Sequence, residues 1–415
     1  MRRKLIVAVA LTAAVGAGGV PAIADTAQPR VVSEHPVGYT PQVQDGTVDA
    51  LALVGHTVVV GGDFTSVADA AQTTYHHRRS LFAYDLTTGV LTPFAPQVDG
   101  VILALAAGPD NTVYAGGTFH TVNGVRQAGV TQLDVGTGAR VAGFGATTDN
   151  GDVRALAYRA GWLYLGGLFS RLDGQPRAAL ARVNGTSGAL DPGFDLGLAA
   201  PDFRYTKVVG LALNPAGNRL VALGVIESAG GVRRAQLVMA DTGTGRVADW
   251  YTDAYDNECW SGFDTYLRAV DFSPAGDYFV VVSTGRYSAP DRMCDTAARF
   301  ETAGTGLHRP TWVNHTGGNT LFVVDVTGPA VYVGGHQQWL DNPYGQKTAG
   351  PGAVYRPGIG AIDPVRGTAL AWNPTHSRGV GVQALLSTPA GLVVGSDTVQ
   401  MGHEYHARLG MFPTG

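Results

Sequence analysis

The chain has 415 residues, 45% of them apolar, with 29 Lys and Arg against 33 Asp and Glu and a formal charge of −4. An acidic balance of this kind excludes a basic face for nucleic acid. Past the N-terminus no stretch is long and apolar enough to span a bilayer, which argues against membrane insertion.

The first element is a basic cluster, Arg2, Arg3 and Lys4, followed by an apolar run from Leu5 to Val20 and the small-x-small sequence Ala22-Ile23-Ala24. Residues 1–24 therefore read as a secretory signal peptide, removed on export. No Cys follows the apolar run to take a lipid. Losing the three cations takes the charge from −4 to −7, and the mature protein is expected to be soluble and extracellular. Residues 25–36 read as an N-terminal extension and 37–415 as one folded domain, although the length would allow two or three.

One phrase then recurs seven times. Its clearest copies are Val48-Asp49-Ala50-Leu51-Ala52 running on to Val60-Gly61-Gly62-Asp63-Phe64, and Val153-Arg154-Ala155-Leu156-Ala157 running on to Leu165-Gly166-Gly167-Leu168-Phe169. First strands are predicted at 47–53, 101–107, 152–158, 207–213, 266–272, 320–326 and 379–386. Second strands end near Gly62, Gly117, Gly167, Gly224, Gly285, Gly335 and Gly395. Each copy holds about four short β-rich runs separated by turn residues, with no helical periodicity. A repeat of this size and pattern predicts an all-β, seven-bladed β-propeller of four-stranded blades.

The termini fit a closed ring. The last copy stops after its third strand, 407–412, while Tyr39-Thr40-Pro41-Gln42-Val43 matches Phe94-Ala95-Pro96-Gln97-Val98 at the end of the first copy. The N-terminal segment is expected to supply the outer strand of the last blade and cover its open edge. Turns between first and second strands, such as Gly55-His56 and Ala160-Gly161, are short, and so are the Thr-Gly turns Thr87-Thr88-Gly89 and Gly136-Thr137-Gly138. Both sets fall on one face, so the longer loops gather on the other, where a propeller most often binds.

The unit, from its V-x-A-L-A start through Gly-Gly-x-Phe to Leu-Asp-x-x-Thr-Gly, resembles the repeat of secreted bacterial β-propeller proteins of the delta-sixty-like or uncharacterised type, frequent in actinobacteria. The resemblance covers residues 38–412, with copies four, five and seven departing most, as at Leu223-Gly224-Val225. It implies a fold and an exported location. It carries over no activity and no catalytic residue.

Function is therefore sought where copies depart from the phrase. Trp250, Trp312 and Trp372 occupy the fourth-strand slot of Phe94, Phe144 and Phe194, so they read as wedges between blades. Trp162 starts a second strand. Trp260 and Trp339 remain, in long loops, as ligand candidates. Blade five carries an acidic, aromatic insertion with Asp253, Tyr255, Asp256, Glu258, Cys259, Trp260 and Asp264, and its other long loop contains Cys294. In an oxidising compartment Cys259 and Cys294 are expected to pair. The carboxylates are of the kind that bind Ca²⁺, yet they lack the ordered spacing of a calcium loop, and a solvated acidic loop is the favoured reading. No cofactor is expected.

In blade six His336, Gln337, Gln338 and Trp339 replace the usual continuation, ahead of a loop with Asn342, Tyr344, Lys347 and Tyr355; amides, imidazole and indole suit a glycan or peptide. In blade seven Asp397, His403, Glu404 and His406 group polar side chains, but the two His stand three apart, not on the helical i, i+4 spacing of zinc proteases. Asp271 and Asp325 replace Ala on first strands and call for buried partners, for which Arg154 and Arg268 are available. No nucleophile motif appears, and no catalytic residue is assigned. The expected function is extracellular binding or scaffolding, by a monomer, of a glycan or protein at the long-loop face of blades five to seven. The rival is a carbohydrate-active hydrolase or lyase that uses loop carboxylates such as Asp264, Asp397 and Glu404.

Overall fold

The protein is described from a computed structural model covering residues 26–415 except 258, 261, 287, 288 and 378; the predicted signal peptide and Glu258 lie outside the described residues. Every regular element among the described residues is a β-strand. The first sheet is an antiparallel meander of Thr47–Val54, Thr57–Asp63 and Leu81–Asp85. Six further meanders repeat the order, with first strands Ile102–Ala107, Val153–Arg159, Lys207–Leu213, Leu267–Phe272, Leu321–Val326 and Val382–Thr388. First strands contact one another in chain order, and that of the seventh sheet also contacts that of the first. Second strands are buried almost end to end, as an unbroken apolar run dictates.

The predicted fourth strand is often vestigial. It has four residues in the fifth sheet, Trp312–His315, and two in the fourth, Arg246–Val247. In the first, second, third and sixth sheets it shrinks to single bridges such as Tyr84↔Leu91 and Ile362↔Ala369. Against Leu409–Pro413 of the last sheet lie residues 33–37, where Ser33 N–H donates to Pro413 O at 2.8 Å and Val37 N–H to Met411 O at 2.9 Å. Further upstream, Gln28 N–H donates to Thr327 O at 3.1 Å, and its side-chain amide donates to Thr388 O at 3.3 Å. Packing thus begins well inside the segment that the sequence set apart as an extension.

The repeated turn has a simple cause. Asp85 accepts at Oδ1 from the backbone N–H groups of Thr87 and Thr88, at 3.0 and 2.9 Å, and Asp134 and Asp241 do the same for Thr137 and Thr244. Such a carboxylate closes the turn locally. Gly89 is required there, because it sits at φ +72° with Tyr39 O only 1.7 Å from where a Cβ would lie.

Trp250, Trp312 and Trp372 are buried, each against the following sheet. Their indole N–H groups donate to Glu301 O at 3.1 Å, Pro364 O at 2.8 Å and Ser33 O at 3.0 Å. The last of these partners belongs to the N-terminal segment, which takes the position that Glu301 and Pro364 hold for the other two.

Asp271 and Asp325 do sit between sheets, but their partners are not Arg154 or Arg268. Asp271 Oδ2 accepts from Val326 N–H, and Asp325 Oδ2 from Ser387 N–H, both at 2.7 Å. Arg154 instead pairs with Asp152 at 2.8 Å. A backbone donor from the adjacent first strand reaches Oδ2 of each, while Asp325 Oδ1 is buried without a hydrogen bond among the described residues, and burial pushes that carboxyl up to about 6.

The longer loops are more regular than expected. After the second strand most copies form a two-stranded ribbon that leans on the preceding linker, as Ser66–Ala68 does between Gln42–Val43 and Tyr75–His77. Ribbon tips at Asn123-Gly124, Asp173-Gly174, Gly230-Gly231 and Gly402-His403 have positive φ at both residues, the geometry of a type I′ hairpin. The fifth sheet has no such ribbon between Tyr278–Ser283 and Thr296–Glu301 among the described residues.

Candidate functional site

The fifth sheet is also where the scaffold loses a plug. Pairing of each first strand with its second sets Phe64, Phe119, Phe169, Ile226, Gly285, Gln337 and Thr398 in one equivalent position, two residues beyond the partners Gly62, Gly117, Gly167, Gly224, Ser283, Gly335 and Ser396. The first four are buried apolar side chains. Gly285 therefore stands beyond the second strand, not at its end as the sequence reading had it; Ser283 holds that end. Space left at Gly285 is filled by Cys294, whose Cβ is 2.6 Å from where a Gly285 Cβ would be. Cys294 bonds to Cys259 as expected, with Cα atoms 5.8 Å apart, and the pair packs with Tyr266 and Phe263.

Beside the disulfide a recess of about 420 Å³ opens. Trp260, Phe263, Gly285 and Arg286 come from the fifth sheet's loops, Gly318, Asn319 and Thr320 from the link to the sixth, and His336 and Lys347 from the sixth. Phe263 meets Trp260 edge-on at 5.2 Å, and the Arg286 guanidinium lies over the indole at 4.8 Å. His336 packs edge-on against Phe322 at 5.5 Å. The indole is walled by its own loop yet remains 38% exposed.

Charges lie beneath. Asp295 is fully buried; burial pushes its carboxyl up to about 7, against the opposing pull of the Gly285 N–H, Lys347 and Arg268. Burial also lowers the Arg268 guanidinium, with Asp264 and Asp295 opposing. Arg268 donates to Thr265 O and Leu267 O at 3.3 and 3.4 Å and lies 5.5 Å from the Phe263 ring.

Of the residues singled out in the sequence, the structure brings Trp260 and His336 into this recess together with Lys347. Asp264 is outside it and locally engaged, accepting from Tyr205 Oη at 2.8 Å and Lys207 Nζ at 2.6 Å. Burial would raise its carboxyl, but these partners hold it below the usual range. Gln337 is 0% exposed in the Phe64 slot, and no hydrogen bond to its amide atoms is found among the described residues. It does not line the recess. Trp339 is not in an irregular loop: Trp339–Leu340 pairs with Val354–Tyr355, and Gln338 accepts the Arg356 N–H through its backbone.

The candidates of the seventh sheet lie outside the recess and have local contacts. Asp397 accepts from Val380 N–H and Gly381 N–H at 2.7 and 2.8 Å. His403 is the second residue of a ribbon turn, at φ 64°, and Glu404 pairs across that ribbon with Met401. His406 is only 3% exposed; burial lowers its imidazole while Glu404, 3.8 Å away, opposes. Among the described residues no group of three or more His, Cys, Asp or Glu is placed to hold a metal ion.

A second charged feature escaped the sequence reading. Each first strand has a β-bulge at one equivalent residue, namely Asp49, Leu103, Arg154, Val209, Arg268, Phe322 and Gln383. A bulge re-aims its side chain, and at Asp49 it brings the carboxyl close to Asp63 and Asp397 of the seventh sheet. Burial first, then these two charges, push Asp49 up to about 7.

The profile of a family described as a domain of unknown function (DUF5122) β-propeller matches residues 161–194, the second and third strands of the third copy. This supports a β-propeller repeat protein. Among solved structures, the crystal structure of the computationally designed Ika8 protein is similar, at 14% identity over 92% of this chain and 99% of that one, with a TM-score of 0.49. No curated protein matches.

Proposed function

We propose that the protein is a secreted, monomeric, seven-bladed β-propeller that binds an extracellular glycan or protein through the recess between its fifth and sixth sheets. Contact of the seventh first strand with the first, and the hydrogen bonds of residues 33–37 to Leu409–Pro413, support ring closure by the N-terminal segment. The N-terminal Arg2-Arg3-Lys4 cluster, the apolar run behind it and the Cys259–Cys294 bond support export. One observation carries the binding assignment: Trp260, Arg286, His336 and Lys347 converge from separate loops on a recess of about 420 Å³. That volume suits a small ligand or one unit of a polymer. Asp264, Asp397 and Glu404 serve local contacts and none lines the recess, so the geometry favours binding over carbohydrate cleavage.

The test is a glycan array with a protein pull-down, comparing the parent with Trp260→Ala and Trp339→Ala. Binding should be lost in Trp260→Ala and retained in Trp339→Ala. Retention in both, with unfolding midpoints unchanged, would overturn the assignment.

A further inference from the structure

We infer that the tight-turn end of the first strands encloses a second binding site, for a neutral, ring-sized apolar molecule that carries one oxygen acceptor. Six of the seven first strands line a single cavity of about 180 Å³ there, at the end of the strands away from the recess. An engineered cavity of about 150 Å³ walled by aliphatic side chains holds benzene, so the volume sets the size of the guest. The walls are apolar by repetition. Leu51, Leu105, Leu156 and Leu211 stand two residues past the bulge in the first four copies, and each stays only partly buried although it sits on an inner strand. An alanine follows each of them, as at Ala106 and Ala157, where the fifth copy has Asp271 and the seventh Leu386. Those small side chains leave the space. A guest filling it would take the leucine surfaces out of water, which the scaffold alone does not do.

Polarity in the cavity is limited to a few groups. Asp271 accepts from Val326 N–H, and Asn214 bonds to Asn218 and Arg219 within its own turn. Arg159 donates through Nη2 to Pro215 O, while its Nη1 is buried with no hydrogen bond among the described residues. A buried donor without an acceptor costs free energy, and an oxygen of the guest would offset that cost. One guanidinium and one carboxylate line the cavity among the described residues. An ionised guest would therefore meet a like charge and also lose its hydration, which favours a neutral one. Thr26 completes the lining, on a segment that Gln28 ties to Thr327 O and Thr388 O at the far ends of the sixth and seventh first strands.

Matched probes test the site by isothermal titration of the mature chain. Acetophenone is set against cumene, a near-isostere without the oxygen, and against benzoate and benzylamine as charged counterparts. Acetophenone should bind saturably and roughly tenfold more tightly than cumene, as one charge-assisted hydrogen bond gives. Arg159→Met should bring the two to equal affinity and leave cumene unaffected. Ala157→Leu fills the cavity without adding a polar group and should abolish binding of both. Ala106→Leu fills it from another sheet, and thermal unfolding checks that each variant is folded. Trp260→Ala, at the recess, should change no affinity. Saturable binding of no probe, or binding that survives both filled variants or is lost in Trp260→Ala, would overturn the site. Tighter binding of benzoate or benzylamine than of acetophenone would overturn the neutral assignment. Equal affinity of the parent for acetophenone and cumene would overturn the contact with Arg159. None of these cavity residues lines the recess, so the glycan or protein assignment is tested separately.

Discussion

Asp49→Asn offers a test of the first-strand bulge in which the sign is fixed in advance. The Asp49 carboxyl is raised from 3.8 to about 7, chiefly by burial and then by Asp63 and Asp397. Between those pH values the native state keeps a proton that the unfolded chain has released, so native stability falls as pH rises through this window. The shift is about 3 pH units at about 1.4 kcal/mol each, which makes the full loss at most about 4 kcal/mol above pH 7. Asparagine has similar shape and no charge. The variant should match the parent near pH 4 and exceed it increasingly up to pH 8. Urea titrations at intervals across this range measure the difference without screening the charges. Asp63→Asn should recover a smaller part, because burial rather than its charge is the larger cause. Parallel stability curves for parent and Asp49→Asn would refute the half-buried acidic junction between the first and seventh sheets.

Three further outcomes follow from the packing. Trp250→Phe keeps the ring type found in sister copies but orphans Glu301 O, and should cost about 2 kcal/mol in urea unfolding; Trp250→Ala should cost about 3–5 kcal/mol. Replacing both Cys259 and Cys294 by Ser opens a link spanning 35 residues and should lower stability by roughly 3–4 kcal/mol; an unchanged thermal midpoint would deny the bond a role. Deleting residues 26–37 removes the partners of Pro413 O, Met411 O and the Trp372 indole, so the variant should unfold at lower temperature and be cleaved near 407–413 by dilute protease, whereas parent-like resistance would argue against closure by this segment.

The scaffold was legible because its chemistry is local and repeated. Asp-x-x-Thr-Gly turns close on their own residues, and the tryptophans could be assigned by comparison with Phe94, Phe144 and Phe194. The ribbons that carry Trp339 and His403 were missed for a related reason. The Asn-Gly and Asp-Gly pairs at 123–124 and 173–174 announce hairpin ribbons, and carrying that pattern to Gly402-His403 would have marked His403 as a turn residue. The bulges are harder to see. Val48, Ala50 and Ala52 still alternate as buried residues around Asp49, so the extra residue leaves the apolar pattern undisturbed. Gln337 and Gly285 could have been found by asking what fills the Phe64 position in every copy. Convergence of Arg286, Asn319 and Lys347 could not, because no spacing along the chain brings three separate loops together.

The repeat makes the departures informative in pairs. Losing the apolar plug at Gly285 removes packing from the fifth sheet, and the described loop lacks the ribbon that steadies its counterparts. The Cys259–Cys294 bond supplies order in that place, and Cys294 fills the space beside Gly285 while Trp260 walls the neighbouring recess. At the junction of the first and seventh sheets, by contrast, three carboxyl groups are brought together, and Asp49 answers burial and the charges of Asp63 and Asp397 by holding its proton up to about pH 7.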